Sequence, residues 1–384
     1  MKIVASGGGS AGHISPILAT VEALKPLGNI QVLYIGQQGS LEQRIASSAG
    51  IDFAPILAGK YRRNPAHSRI RRMLDVYNLA LNTRDMAKLT AGVIQSLKLL
   101  RAYQPDAVFI KGGFVGLPVG IAASLLRIPY LIHESDISPG LTNRVLAKRA
   151  VKIAVGFPVQ KYPQWDESKL EFTGNPIRKD ILGYLPAEAL NYFGLSSDLP
   201  VILVTGGSQG ARAINEIVLA ALPKLLEKYQ VIHVTGEKQL EAVQQHLQQL
   251  NPLYKERYVV KSFLLHDIGQ AYAAADLVVA RAGAGTIAEL AALAKPAILI
   301  PNQAMAAHQI ENAKALSRTG AAKVLYEHRL TPEQFVAQID QIMESESDQQ
   351  TLAGNIKEFS VPDADRHLAE LIYKVAAANR EASR

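Results

Sequence analysis

The run Gly7-Gly8-Gly9-Ser10-Ala11-Gly12 follows the apolar stretch Lys2-Ile3-Val4-Ala5 and ends on His13. A glycine-rich turn between a strand and a helix lets the backbone approach a phosphate closely, and the unpaired N–H groups of the helix start then face the anion. The arrangement recurs at Lys111-Gly112-Gly113-Phe114-Val115-Gly116-Leu117-Pro118 and at Gly206-Gly207-Ser208-Gln209-Gly210. One such loop is a weak signal; three after corresponding strands are a stronger one. His13 stands where an imidazole can take a proton from a reacting hydroxyl or donate to a phosphate, although a lone histidine there also suits backbone capping. A fourth turn, Arg281-Ala282-Gly283-Ala284-Gly285-Thr286-Ile287-Ala288-Glu289, places a carboxylate about one turn inside a helix. Glu289 can hold both hydroxyls of a ribose there, or simply complement the helix dipole.

Several chemistries are disfavoured. None of the loops ends in Gly-Lys-Ser/Thr, so a nucleotide-hydrolysing P-loop is absent. The first loop resembles a dinucleotide fingerprint, but Gln37 stands where a ribose-binding acid would close the second strand. No cysteine is present, which removes thiolate nucleophiles, thiolate metal sites and disulfides. Asp363 and Asp365 form a pair that could hold a metal, yet their place after Pro362 and before a helical pattern suits capping.

Such loops need parallel strands behind them. Lys2–Val4, Val32–Ile35, Ala107–Ile110 and Tyr130–Ile132 alternate with helix-length segments, and the rhythm restarts with Val201–Val204, Val231–Val234, Leu277–Val279 and Ala297–Ile300. The chain is 384 residues long, more than one core usually holds. Two doubly wound α/β domains are therefore expected, with a junction in the Pro- and Gly-rich stretch Phe157–Arg178, giving domains 1–177 and 178–362. Beyond Pro362, Leu368, Leu371, Ile372 and Val375 have helical spacing, and a terminal helix over 363–384 is expected to return to the first domain. The N-terminus has no signal-peptide pattern, and the most apolar stretch, Val115–Ile132, is interrupted by Pro118, Arg127 and Pro129, so it reads as a helix and strand of a soluble domain. A net charge of +7 points to acidic partners. Much of that charge gathers at Lys60, Arg62, Arg63, Arg69, Arg71 and Arg72, beside Ile70, Met73, Leu74, Val76, Tyr77, Leu79 and Leu81. Basic charge beside apolar surface suits an anionic bilayer face, or a solvated helix packed on its domain. Aromatic residues are sparse there, so nucleic acid is not expected.

Taken in order, Gly7–His13, Gly112–Pro118, His133-Glu134-Ser135-Asp136 with Gly140–Asn143, Gly174–Arg178, Gly206–Ala211, Arg281–Glu289, and His308-Gln309 with Asn312 resemble the motifs of the MurG family over nearly the whole chain. Members of this family transfer N-acetylglucosamine from UDP-GlcNAc to undecaprenyl-pyrophosphoryl-muramoyl-pentapeptide (lipid I), giving lipid II for peptidoglycan. The resemblance implies a GT-B fold, two Rossmann-like domains facing a cleft, with the acceptor and membrane on the first domain and the donor on the second. It implies donor contacts at Arg178, Ser208, Leu264, Ala284, Gly285, Thr286, Ile287, Ala288, Glu289, His308 and Gln309. Ser10, Ala11, Gly12 and Asp136 would complete that site from the first domain.

The resemblance also implies inversion at the anomeric carbon, with His13 or Glu134 as general base and no metal or cofactor in the chemistry. It implies a peripheral place on the cytoplasmic face of the cell membrane, a part in cell shape and division, and other cell-wall enzymes as partners. The chain departs from the family pattern at Asp136, where many relatives carry Asn, at the apolar loop Ala304-Met305-Ala306-Ala307, and over Lys60–Ala91. Competing readings are a GT-B transferase acting on another lipid such as diacylglycerol, a UDP-sugar 2-epimerase, and a non-catalytic sugar-nucleotide-binding protein.

Overall fold

Apolar runs without alternation become strands buried on both faces, which is what a parallel sheet between two helix layers requires. In the computed structural model, residues 1–8, 11–60, 76–207, 210–264, 267–302 and 307–382 are described, and the side chains of residues 11–13, 41, 76–80, 249 and 307 lie outside the description. Two units emerge: Met1–Arg178 with Val361–Arg384, and Lys179–Ser360.

The first unit holds a seven-stranded parallel sheet: β1 (Lys2–Gly7), β2 (Gln31–Gln37), β3 (Asp52–Ile56), β4 (Ala107–Gly112), β5 (Tyr130–Glu134), β6 (Lys152–Val155) and β7 (Leu170–Phe172), in the order β3-β2-β1-β4-β5-β6-β7. The second has six strands: β8 (Val201–Thr205), β9 (Gln230–Val234), β10 (Tyr258–Lys261), β11 (Leu277–Ala280), β12 (Ala297–Leu299) and β13 (Lys323–Val324), in the order β10-β9-β8-β11-β12-β13. Both orders reverse direction beside their first strand, between β1 and β4 and between β8 and β11. Doubly wound sheets bind ligands outside the carboxyl ends of the strands at that reversal.

The sequence pattern located the central strands and not the flanking ones. β3, β6, β7, β10 and β13 are short or lie toward the sheet edges, and β7 falls inside Phe157–Arg178, a stretch expected to be a linker. β3 even contains Pro55, which an edge strand tolerates because one side of it needs no ladder hydrogen bond. Val115–Ile132 divides between the helix Gly113–Leu126 and the start of β5, with Pro118 inside the helix.

The terminal helix Ala364–Ala382 joins the first unit and packs on the helix Ala11–Leu24 and on β4. Leu368, Ala369, Ile372 and Ala376 are fully buried in that contact, and Asn379 donates to the Asp106 carbonyl at 3.0 Å. Asp363 precedes the helix at a left-handed φ of 55°, and its carbonyl accepts the His367 N–H. Gly174 has a φ of 76°, and a Cβ there would lie 2.5 Å from the Val361 Cβ, so the returning chain lies directly on the Gly174 backbone. Replacing Ile372 with Ala removes a fully buried side chain and is expected to cost the first unit about 2–5 kcal/mol. Urea unfolding followed by hydrogen exchange checks this: protection should fall in β1 and β4 while β8 and β11 keep theirs.

Candidate functional site

In the first unit the loops after β1, β4 and β5 meet at the sheet reversal. Gly113 has a φ of 73°, and a Cβ on it would collide with the Gly8 carbonyl, so the two glycine loops touch backbone to backbone. Gly7 lies against the Lys111 stem, where an added Cβ would be 2.9 Å from the Lys111 Cβ. The buried Tyr34 hydroxyl donates to the Gly7 carbonyl and fixes the end of β1. The Thr142 hydroxyl donates to the Gly113 carbonyl at 2.8 Å, and the Asn143 amide donates to the His133 carbonyl at 3.0 Å and to Glu134 Oε2 at 2.9 Å. Thr142 and Asn143 thus tie the third loop to the second.

Glu134 is buried and both of its oxygens are engaged. Oε1 accepts the Asp136 N–H at 3.1 Å, and Oε2 accepts the Gly140 N–H at 2.9 Å besides the Asn143 amide. Burial raises its proton affinity above the usual carboxylate range and the neighbouring Asp136 charge adds to this, while those donors pull the other way. Protonation would cost the contacts that shape the 134–140 turn. Asp136 is half-buried, and its carbonyl accepts the Tyr162 hydroxyl at 3.1 Å. Ala11, Gly12 and His13 form the first turn of the helix Ala11–Leu24, their side chains outside the description, and Ser10 lies outside the described residues.

Beneath these loops lies a polar chain whose residues stand in the quoted motifs but whose bonding no spacing announced. Lys111 is 2 % exposed; its Nζ donates to His133 Nδ1 at 2.7 Å and to the Ser135 hydroxyl oxygen. His133 Nε2 donates to the Gly174 carbonyl at 2.8 Å, which fixes the neutral tautomer with Nδ1 as acceptor. Burial, then the Lys111 charge, hold the imidazole well below its ordinary range. Burial also lowers Lys111 to about 8, although the Glu134 and Asp136 charges favour its protonated form. A lysine within an apolar strand run was the available signal.

The second unit repeats the plan. Gly206, Gly207 and Gly210 follow β8; Gly207 and Gly210 have φ of 79° and 70°, and the Gly207 N–H donates to Thr205 Oγ1 at 3.2 Å. Ser208 lies outside the described residues. After β11, Gly283 precedes the helix Ala284–Ala292, and a Cβ on Gly283 or Gly285 would meet open space. Ala284 and Ile287 are buried, so a ligand can reach them only through their N–H groups, whereas Gly285, Thr286, Ala288 and Glu289 are partly exposed. The Tyr272 hydroxyl donates to Glu289 Oε2 at 2.7 Å and orients that carboxylate, a partner sequence reasoning missed.

Arg281 turns away from the loop: it donates to the Ile300 carbonyl at 2.9 Å and pairs with Glu327 at 2.5 Å. The Asn312 amide donates to the Ala282 carbonyl at 3.1 Å, and Gln309 Oε1 accepts the Asn302 N–H at 3.0 Å, so both brace the loops. His308 is half-buried beside Gln309. Leu264 is a core residue whose backbone alone is available to a ligand. Residues 304–306 lie outside the described residues. Arg178 ends the first unit, partly buried and with an interaction partner. Among the described residues no group of three or more acidic or histidine side chains is arranged to hold a metal.

The buried ammonium gives a pH prediction. Lys111 titrates at about 8 in the folded chain against its usual 10.5. Between those values the unfolded chain binds more protons, so the first unit gains stability as pH rises from about 8 toward 10.5 and carries the full cost of the buried charge below 8. The gain amounts to roughly 3 kcal/mol. Urea midpoints from pH 7 to 10 should climb in the wild type relative to Lys111→Met; parallel profiles would reject the assignment.

Residues 3–155 match the glycosyltransferase family 28 N-terminal domain and residues 201–368 match its C-terminal domain. A protein of Halothermothrix orenii named UDP-N-acetylglucosamine–N-acetylmuramyl-(pentapeptide) pyrophosphoryl-undecaprenol N-acetylglucosamine transferase is 38% identical over 98% of this chain and 99% of its own length. The crystal structure of MurG from Acinetobacter baumannii superposes with a TM-score of 0.69 at 26% identity, covering 97% of this chain and 99% of that one. A UDP-GlcNAc 2-epimerase from Neisseria meningitidis reaches the same TM-score, 0.69, at 13% identity over 97% of this chain and all of that one, a likeness of fold alone. The chain has the GT-B fold and belongs to glycosyltransferase family 28, among the MurG transferases.

Proposed function

We propose that this chain moves N-acetylglucosamine from UDP-GlcNAc to lipid I, forming lipid II and releasing UDP. The observation that carries the reading is the 38% identity to a transferase of that name along both units. The epimerase reading has no comparable support, since its likeness stops at the fold, and an acceptor such as diacylglycerol is not what the relatives' name describes.

The acceptor hydroxyl attacks the anomeric carbon from the face opposite the diphosphate, the bond to the UDP oxygen breaks, and the configuration inverts. His13 takes the hydroxyl proton. Glu134 is less suited to that step, because its oxygens hold the 134–140 turn through three donors. Charge on the departing diphosphate is met by the N–H groups at the start of Ala284–Ala292, where Gly283 and Gly285 leave room, and by the loop after β8. No metal is assigned to these steps. Glu289, aimed by Tyr272, binds the ribose.

For the membrane, the reading is a peripheral seat on the anionic cytoplasmic face. No helix of the described residues is long and apolar enough to cross a bilayer. Leu57, Met86 and Ile94 are exposed, and the Leu57 N–H bonds Gln95, which places Leu57 beside the helix Val76–Tyr103 that carries Met86 and Ile94. Residues 61–75, with most of the basic charge noted in the sequence, lie outside the described residues.

UDP should appear only when UDP-GlcNAc and a lipid I analogue are both present, and EDTA should leave the rate unchanged. His13→Ala should slow single-turnover transfer by about 10²–10⁴-fold; an unchanged rate removes His13 as the base. Reversing Arg69, Arg71 and Arg72 to Glu should weaken sedimentation with phosphatidylglycerol vesicles by about 1 kcal/mol or more per residue, and leave the little binding to phosphatidylcholine vesicles as it was.

A further inference from the structure

A fully buried ammonium is expensive, and a methionine would fill the same space without that cost. The contacts of Lys111 show what it does instead. Its ammonium donates into one segment, the end of β5, where it reaches the side chains of His133 and Ser135. Of the other bonds into this segment, some seize its backbone, with Asn143 on the His133 carbonyl, Asn175 on the Ser135 carbonyl at 3.1 Å and Tyr162 on the Asp136 carbonyl, and the rest hold the side chains of His133 and Glu134. Among the described residues, only Lys111 bonds the Ser135 side chain.

That bond has a chemical consequence. An ammonium has donors and no lone pair, so Ser135 Oγ must accept from Lys111 and its own proton must point elsewhere. His133 cannot relieve Lys111 of this role, because its Nε2 proton is already spent on Gly174 and its Nδ1 is an acceptor. Ser135 is half-exposed, and among the described residues nothing accepts its proton. The stem of Lys111 lies against Gly7, and Gly113 touches Gly8, so the lysine that orients this donor is built into the approach of the two glycine loops.

We propose that Ser135 is a ligand-contacting residue of the first unit, its hydroxyl proton aimed by Lys111 at an oxygen of a diphosphate seated where Gly113 meets Gly8. Lys111 is then a positioning residue, which touches the ligand through Ser135. The assignment of a diphosphate to this unit rests on the function proposed above, where the acceptor is a prenyl diphosphate ester. Thr would serve in place of Ser; Ala would not.

The test uses the full chain and farnesyl diphosphate as a soluble prenyl diphosphate, with calorimetric affinity as the readout, and a parallel transfer assay with UDP-GlcNAc and a lipid I analogue. Ser135→Ala should bind farnesyl diphosphate about tenfold more weakly, as loss of one hydrogen bond to a charged group implies, with its melting temperature unchanged. Ser135→Thr should bind within about twofold of the wild type. Lys111→Met should weaken binding as much as Ser135→Ala, and the double variant no more than either single one, because both act through one hydroxyl. Wild-type affinity in Ser135→Ala, additive losses in the double variant, or no farnesyl diphosphate binding by the wild type each overturn the proposal. Ser135-dependent binding without transfer would retain this assignment and discard the proposed reaction; transfer that ignores Ser135 would do the reverse.

Discussion

The Gly8 carbonyl stands where a side chain on Gly113 would begin, and the rest of the first unit is arranged around that approach. Two loops can meet this closely only if the strands beneath them are adjacent, in register and equally long. β1 and β4 satisfy this by pairing in parallel from Ile3 with Ala107 to Gly7 with Gly112, with one irregularity at Ser6/Gly7 that lets the loops converge. The surrounding side chains then defend the contact. Tyr34 holds the Gly7 carbonyl, Thr142 the Gly113 carbonyl, and the terminal helix packs on the helix Ala11–Leu24. Backbone N–H groups gathered at a helix start can receive an anion with no exposed cation beside them.

The two units solve the next problem alike. Each has a cation at the tip of the strand across the reversal, Lys111 in β4 and Arg281 just after β11, and in each it turns from the glycine loop toward the end of the neighbouring strand. Lys111 reaches His133 and Ser135 beyond β5; Arg281 reaches the Ile300 carbonyl just after β12. The partners differ in kind. Arg281 has a carboxylate at 2.5 Å and is neutralised, so it behaves as a brace. Lys111 is bonded to neutral groups, and burial makes its proton easier to lose, only partly offset by the Glu134 and Asp136 charges. An arginine could not give up that proton. The choice of lysine in one unit and arginine in the other therefore separates a tunable charge from a fixed one.

Much of this plan was legible in the residues, for reasons that differ by level. Central strands announce themselves because burial on both faces forbids polar side chains, and the loops because glycine is required where backbones touch, as at Gly113. The edge strands escaped because one exposed side relaxes the pattern: Asp52–Ile56 admits a proline, and Leu170–Phe172 has one buried residue in three. The site's side chains were harder. Motif order singled out Glu134, Gln309 and Glu289, but their bonding, to backbone N–H groups and to a tyrosine 17 residues away, depends on tertiary placement that no spacing encodes. Lys111 was visible as a charge in an apolar run, and its partner 24 residues on was not.

Selectivity cannot come from the loops alone, since an N–H group reads negative charge and little else. At Ala284–Glu289 the side chains of Ala284 and Ile287 are committed to the core, which leaves Thr286, Ala288 and Glu289 to discriminate. Of these only Glu289 has a direction imposed before a ligand arrives, through the buried Tyr272 hydroxyl. A preoriented carboxylate accepts from paired hydroxyls at little entropic cost, whereas a freely rotating one would lose much of that gain on binding. Tyr272 bears on this orientation in a second way. Burial together with the Glu289 charge holds its phenol protonated far above neutral pH, so it remains a donor throughout any working range. If Glu289 meets the ribose as proposed, its direction is thus set from the core of the second unit by Tyr272, one residue behind the surface.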